Sequence, residues 1–364
     1  MQIKDITEFL ENIAPVALQE SYDNSGLIVG EKSAKATKAL ITLDCTESVV
    51  DEAIQKNCEL IIAHHPIVFS GLKKFNNSNY VQRVVMKAIK HDIAIYAIHT
   101  NYDNVLNGVN SKIAEKLGLE RCEILAPKKN MLCKLVAYIP VSAAEKVAQA
   151  LFDAGAGNIG NYSKTSFSVT GNGTFEGNEN SNPTIGEKNK KETVEEIRFE
   201  TIFPAFLERK IVSALLANHP YEEVAYDIFS IENKWQQVGA GIVGYLPAPM
   251  KSIDFLYLLK KTMQTDCVKY TPILKDTIQK IALCGGSGRF LLNDAIACQS
   301  DIYITADIKY HEFFDAENHL ILADIGHYES EQFTKDLIFE QLSKKFTTFA
   351  FLLSEVNTNP VNYL

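Results

Sequence analysis

Two stretches of this 364-residue chain alternate short apolar runs with amphipathic ones, and a third stretch between them breaks that rhythm. From Lys38 to Leu117, the runs ALITLD (39–44), ELIIAH (59–64) and IAIYAIH (93–99) read as buried strands. The segments between and after them read as helices: one capped by Thr46 and running to Lys56, one over 78–91, and one over 108–118 closed by Gly118. Strand and helix alternating through short connections predict a parallel sheet covered by its crossover helices. The rhythm returns with KIALCG (280–285), DIYITAD (301–307) and LILADIG (320–326), separated by the helical patterns 287–299 and 308–318. A helix from about Ser330 to Lys345 and a strand, TTFAFLL (347–353), close the chain.

The middle is different. MLCKLVAYIP (131–140), a helix over 142–155, a hairpin of SKTSFSVTG with TVEEIRFETIFP, a helix over 205–219 and EEVAYDIFSI (222–231) give the order β-α-β-β-α-β. That order is the ferredoxin-like unit. Its hairpin carries a polar, Gly- and Asn-rich segment, 171–192, expected to be a mobile loop. The glycine-rich WQQVGAGIVGYLP (235–247) then reads as the return to the first domain. The expected fold is therefore α/β: a mostly parallel, helix-covered sheet domain formed by both chain ends (1–129 and 236–364), with an inserted ferredoxin-like α+β domain at 130–235.

Composition narrows the functional classes. A net charge of −9, with no stripe of Lys and Arg, argues against a general nucleic-acid or anionic-membrane surface. No apolar run reaches the roughly 18 residues of a membrane-spanning helix. The N-terminus has helical spacing and early acids, unlike a signal peptide. Seven scattered cysteines without a C-x-x-C pair fit reduced thiols, and hence a cytoplasmic protein.

In open α/β sheets, sites gather at the carboxyl ends of strands. There this sequence places His64 and His65, His99 with Asp103 four residues on, Asp307 with His311, and Asp324 followed by His327 and Glu331. Adjacent residues inside a strand face opposite ways, so His64 and His65 can share a ligand only where the backbone turns past the strand end. His327 and Glu331 share a face if their turn is helical. Two histidines, an aspartate and a His/Glu pair make five N/O donors without a thiolate. That set suits Zn, Mn, Fe, Co or Ni, and it exceeds what one catalytic zinc takes from protein, so two metals are the economical reading. Each piece also has an ordinary explanation: helix-end histidines, a helix-surface pair, or an aspartate capping a turn. His91 reads as a helix-end residue favoured by the dipole. CGGSGRF (284–290) could offer backbone N–H groups, with Arg289 beside them, to a phosphate, or be a tight turn only. SYDNSGLIVG (21–30) could be a loop closing on the site or a plain turn.

In their order along the chain, YDNSGL (22–27), AHHPIVF (63–69), HTNYDNVLNGVN (99–110), CGGSG (284–288), TADIKYHEFFDA (305–316) and DIGHYESEQF (324–333) resemble the Nif-three-like proteins. These are also called dinuclear-metal-centre hexameric proteins or GTP cyclohydrolase I type 2 homologues. NHPYEEVAYDIF (218–229) resembles the CutA/PII-like insert of their longer bacterial members. The resemblance implies two divalent metal ions per chain, zinc foremost, held by His64, His65, Asp103, His327 and Glu331. It also implies a homohexamer built as a trimer of dimers. His99 and His311 are then candidates to orient a ligand or transfer a proton. The expected function is metal-dependent hydrolysis of a nucleotide-like or other phosphorylated compound, with GTP ring opening as the version the family's name suggests. The alternative is a non-catalytic metal-binding or regulatory assembly acting through a ligand or protein partners.

Overall fold

In a computed structural model describing residues 1–364, the chain folds as two compact units, Met1–Ala126 with Gln237–Leu364, and Pro127–Gln236.

The first unit holds two sheets. Its strands begin with β1 (Gly26–Val29), β2 (Lys38–Thr42), β3 (Leu60–Ala63), β4 (Ala94–Ala97) and β5 (Glu120–Lys128). After the second unit, whose strands are β6 to β9, come β10 (Trp235–Lys251), β11 (Lys269–Tyr270), β12 (Thr277–Ser287), β13 (Ile302–Ala306), β14 (Ile321–Asp324) and β15 (Ala350–Leu353). The five-stranded sheet runs β1-β4-β3-β2-β15, parallel throughout except for β1. Every residue of β3 and β4 is buried, as a parallel strand covered on both faces requires. Helices Glu47–Lys56 and Tyr80–Lys90 pack Val49, Val50, Val84 and Ala88 onto Leu40, Ile61 and Ile95. The Thr46 hydroxyl accepts from the Val49 amide, and the first helix starts there.

The single, mostly parallel sheet expected for both chain ends is a correction: the C-terminal block builds a second, six-stranded sheet, β11-β14-β13-β12-β10-β5. There β12, β13 and β14 are parallel, but β10 and β11 pair antiparallel. The glycine-rich return segment is the 17-residue strand β10. Only β15 crosses back, pairing Phe351 with Ala39 in the first sheet. The expected helix 308–318 is a 3-10 turn over Tyr310–Ala316, and the last helix is split into His327–Glu331 and Thr334–Lys345.

The second unit is one antiparallel sheet of β6 (Leu132–Pro140), β7 (Phe167–Glu176), β8 (Lys191–Pro204) and β9 (Tyr226–Ile231), ordered β7-β8-β6-β9. Helices Ala144–Asp153 and Glu208–Asn218 bury Val147, Leu151, Ile211 and Leu215 against it. Ladder pairing continues from Phe167 opposite Glu200 out to Glu176 opposite Lys191, so both ends of the expected 171–192 loop are strand. The alternation of TVEEI simply extends further than its polar composition suggested. No helix of either unit is long and apolar enough to cross a membrane.

Candidate metal centre

Three loops of the first unit converge because each leaves the carboxyl end of a parallel strand. His64 and His65 follow β3 directly, and their amides bond to Leu43 O past the end of β2, where the backbone turns. His99 precedes the short helix Thr100–Asp103, which ends in Asp103. Gly326, at φ +91°, turns the chain out of β14 into the short helix His327–Glu331, whose i,i+4 residues share a face. The five expected donors and His99 come together, and three groups of them lie within 4.8 Å: His64, His65 and His99; His65, His327 and Glu331; and His64, Asp103 and Glu331.

All four imidazoles are oriented alike. The Nδ1 of His64 donates to Ile98 O (2.8 Å), that of His65 to Asp44 (2.7 Å), that of His99 to Asp23 (2.7 Å) and that of His327 to Asp307 (2.7 Å). With each Nδ1 engaged, Nε2 is the ring nitrogen turned toward the cluster, the arrangement that fixes ring and tautomer in histidine metal sites. Glu331 is central: its Oε2 lies 2.9 Å from His65 Nε2 and 3.1 Å from His327 Nε2, and its Oε1 lies 3.8 Å from His64 Nε2. His64 Nε2 and Asp103 Oδ1 are buried, 3.7 Å apart, and have no hydrogen-bond partner. Two orphaned buried groups facing each other are costly unless something binds both. A divalent cation fits that donor set.

The electrostatics agree. Burial opposes charge on His65, but Asp44 and Glu331 outweigh it and push the ring up to about 10. His327 is pushed up to about 11 in the same way, against burial, by Glu331 and Asp307. Glu331 is held well below the usual carboxylate range despite its burial, by His327 and the other two rings. Asp103, its Oδ1 desolvated and facing Glu331, rises to about 7. Without a metal, protons hold the cluster together. A bound cation would take their place.

The cluster lies in a cavity of about 870 Å³ whose wall includes Glu20, Tyr22, Phe69, Phe290 and Lys269. Its buried thiol, Cys284, is pushed above its ordinary value by burial and donates to Gly285 O.

The sequence profile of Duf34/NIF3 (NGG1p interacting factor 3) matches residues 1–360. The chain belongs to the Duf34/NIF3 family. It is 38% identical to a Bacillus subtilis protein named GTP cyclohydrolase 1 type 2 homolog, over 99% of this chain and 98% of the relative. It is 37% identical to the Halalkalibacterium halodurans protein of the same name, at the same coverage. The crystal structure of a Bacillus cereus protein related to NIF3 superposes with a TM-score of 0.87, at 38% identity, covering 100% of this chain and 99% of the other.

Not every expectation survives in this Duf34/NIF3 chain. His311 is exposed, packed between the Tyr310 and Phe314 rings, and does not line the cavity. It sits in the 3-10 turn that replaces the expected helix and belongs to none of the three donor groups. The glycine segment does not present free amides to a phosphate: Gly285 N donates to Asn110, Gly286 N to Ser330 and Gly288 N to Thr305. Arg289 is paired with Asp315. The segment instead makes room, since a Cβ on Gly286 would run into the Glu331 carboxylate. Asp324 is structural, accepting from the Ile308 and Gly326 amides and from Lys269. The YDNSGL loop does close on the site, where Asp23 accepts from His99, the Thr100 amide and the Thr100 hydroxyl. Sequence reasoning missed Asp44 and the role of Asp23. Asp44 ends ITLD at a strand's carboxyl end, the same position that singled out the histidines.

Proposed function

We propose that this chain binds two divalent metal ions and acts as a metal-dependent hydrolase. The observation that carries the reading is the convergence of His64, His65 and His327 Nε2, each with its Nδ1 already engaged, on the carboxylates of Asp103 and Glu331, with His64 Nε2 and Asp103 Oδ1 left unpartnered. His64 and Asp103 would hold one ion, His65 and His327 the other, and Glu331 would serve both. The N/O donors suit zinc, with Mn, Fe, Co or Ni as alternatives. When bound, such ions supply Lewis acidity and a nucleophile at neutral pH. His99, braced by Asp23, is placed to complete the donor set or to move a proton at its Nε2. Tyr22 and Phe69, exposed with ring centroids 6.1 Å apart and tilted by 39°, give a nucleotide-like substrate aromatic faces at the cavity wall. The relatives' printed name supports GTP ring opening as the specific version.

The strand order of the second unit supports reading it as a ferredoxin-like, CutA/PII-like insert. Its exposed Phe167, Val169 and Phe229 favour the second functional reading, a metal-binding or regulatory homohexamer. Seven free cysteines support a cytoplasmic location.

The test is elemental analysis of the purified chain beside His327→Ala, with light scattering of the same samples. Close to two ions per chain, lost in the variant, is expected, at a mass near six chains. No metal after reloading would overturn the metal centre, and the mass of a single chain would overturn the hexamer.

A further inference from the structure

The last residues of the chain take no part in either sheet, yet they are tied to the cluster. After β15, the Ser354 hydroxyl and the Glu355 amide both donate to the carboxylate of Glu52, which is 8% exposed. Val356 packs onto the core beneath the first sheet. Four residues on from Ser354, the Thr358 hydroxyl donates to Asp44 Oδ2 at 2.6 Å, while Asp44 Oδ1 accepts from His65 Nδ1 at 2.7 Å. The Asn359 amide side chain donates to Glu329 at 3.0 Å, and Pro360, Val361 and Tyr363 form part of the cavity wall.

We infer that Thr358 is a positioning residue of the metal centre: it fixes the Asp44 carboxylate and, through it, the rotation and tautomer of His65. A carboxylate on a short side chain can turn about its last bond, so one bond to His65 leaves its plane undetermined. A donor to the second oxygen sets that plane and keeps Oδ1 aimed at Nδ1. The chain Thr358–Asp44–His65–Glu331 runs 2.6, 2.7 and 2.9 Å without a break. The C-terminal segment thereby couples the wall of the cavity to one of its imidazoles. The inference builds on the metal-binding reading for its consequence, but the positioning itself is testable in the metal-free protein.

The experiment uses full-length Thr358→Val, which keeps the shape and removes the donor, with Thr358→Ser as the conservative control. In chelator-stripped protein with labelled histidines, the His65 Nδ1–H resonance should be protected from solvent exchange in the parent and in Thr358→Ser, and exchange-broadened in Thr358→Val. Zinc affinity by chelator competition should fall about tenfold in Thr358→Val, the lower end of the loss when an outer partner of a ligating histidine is removed. It should return in Thr358→Ser. A Thr358→Val protein that keeps both the protected resonance and the parent's affinity overturns the inference. So does a loss that Thr358→Ser fails to restore, together with a lowered melting temperature, because the hydroxyl is then only packing. If the parent takes up no zinc while Thr358→Val still loses the resonance, the metal reading falls and the positioning role stands.

Discussion

Glu331→Gln is the sharpest single perturbation of the cluster, because it keeps the shape of a buried side chain and removes the charge that three imidazoles face. Glu331 is 3% exposed and lies 2.9 Å and 3.1 Å from His65 and His327 Nε2. It belongs to two of the three donor groups, so under the proposed two-ion reading both ions should weaken together. Losing an outer partner costs roughly 10–100-fold in metal affinity, and a shared ligand should cost at least the upper figure. At free metal of roughly a thousand times the parent's Kd, one bound ion stabilises the parent by about 4.1 kcal/mol. A hundredfold weaker variant would gain only about 1.4 kcal/mol from that ion at the same concentration. For a domain of this size these correspond to rises in Tm of roughly 8–16 °C and roughly 3–6 °C. Scanning calorimetry of stripped and metal-loaded samples reads the difference. The stripped proteins carry a second signature. His65 and His327 titrate at about 10 and about 11 when folded, above the roughly 6.5 of an unfolded histidine. Their raised values contribute stability that is complete below that unfolded value and is lost as pH rises through the folded ones. Removing the Glu331 charge should flatten the fall in Tm over that window. A variant with the parent's metal-dependent shift and the parent's pH profile would refute the assignment of Glu331 as the shared, charge-balancing carboxylate.

Two further outcomes follow from the same geometry. Zinc uptake by stripped protein at pH 8 should release more than one proton per chain, because His65 and His327 both hold protons there and must shed them to coordinate; calorimetry in buffers of differing ionisation enthalpy counts them, and zero release would contradict the raised values. Gly286→Ala should leave the protein folded, with Tm lowered by a few degrees for a left-handed residue costing about 1–2 kcal/mol, but should sharply reduce its metal content, since Gly286 sits at φ +61° against Glu331; full occupancy in the variant would show that the carboxylate has room to move.

Much of this was legible in the sequence, for a physical reason. β3 and β4 are buried on every side chain, so LIIA and AIYA declare themselves by composition alone. Strand ends then locate the donors, since only there does the backbone turn two adjacent histidines toward one point. What was not legible depends on pairing between distant segments. The sequence of β10 does not say that Val243 pairs antiparallel with Ala282, so one sheet was expected where two form. The glycines of CGGSGRF signal close approach without saying to what. Here it is the Glu331 carboxylate, and their amides are consumed by Asn110, Ser330 and Thr305 rather than offered to a phosphate. His99 closes a strand and His311 follows one by a turn, yet one lies against Asp23 and the other among exposed aromatics.

The carboxylates that hold the imidazoles explain why the cluster is built across two sheets. Asp23 and Asp44 come from loops of the first sheet and Asp307 from the second, and each engages an Nδ1 rather than the centre itself. The rings are therefore set before any cation arrives, so the entropy of fixing them is spent in folding rather than in binding. Glu331 comes from the second sheet's side and reaches the histidines of the first. A donor set divided in this way is complete only when both sheets are in place. In the stripped protein the like-charged Asp103 and Glu331 are kept apart in protonation, one raised and one lowered. Ions bound between them would relieve that conflict and fasten the two sheets to each other. Metal binding should accordingly add to the stability of the first unit, and the calorimetric shift of the parent should disappear in any variant that separates Glu331 from the histidines it faces.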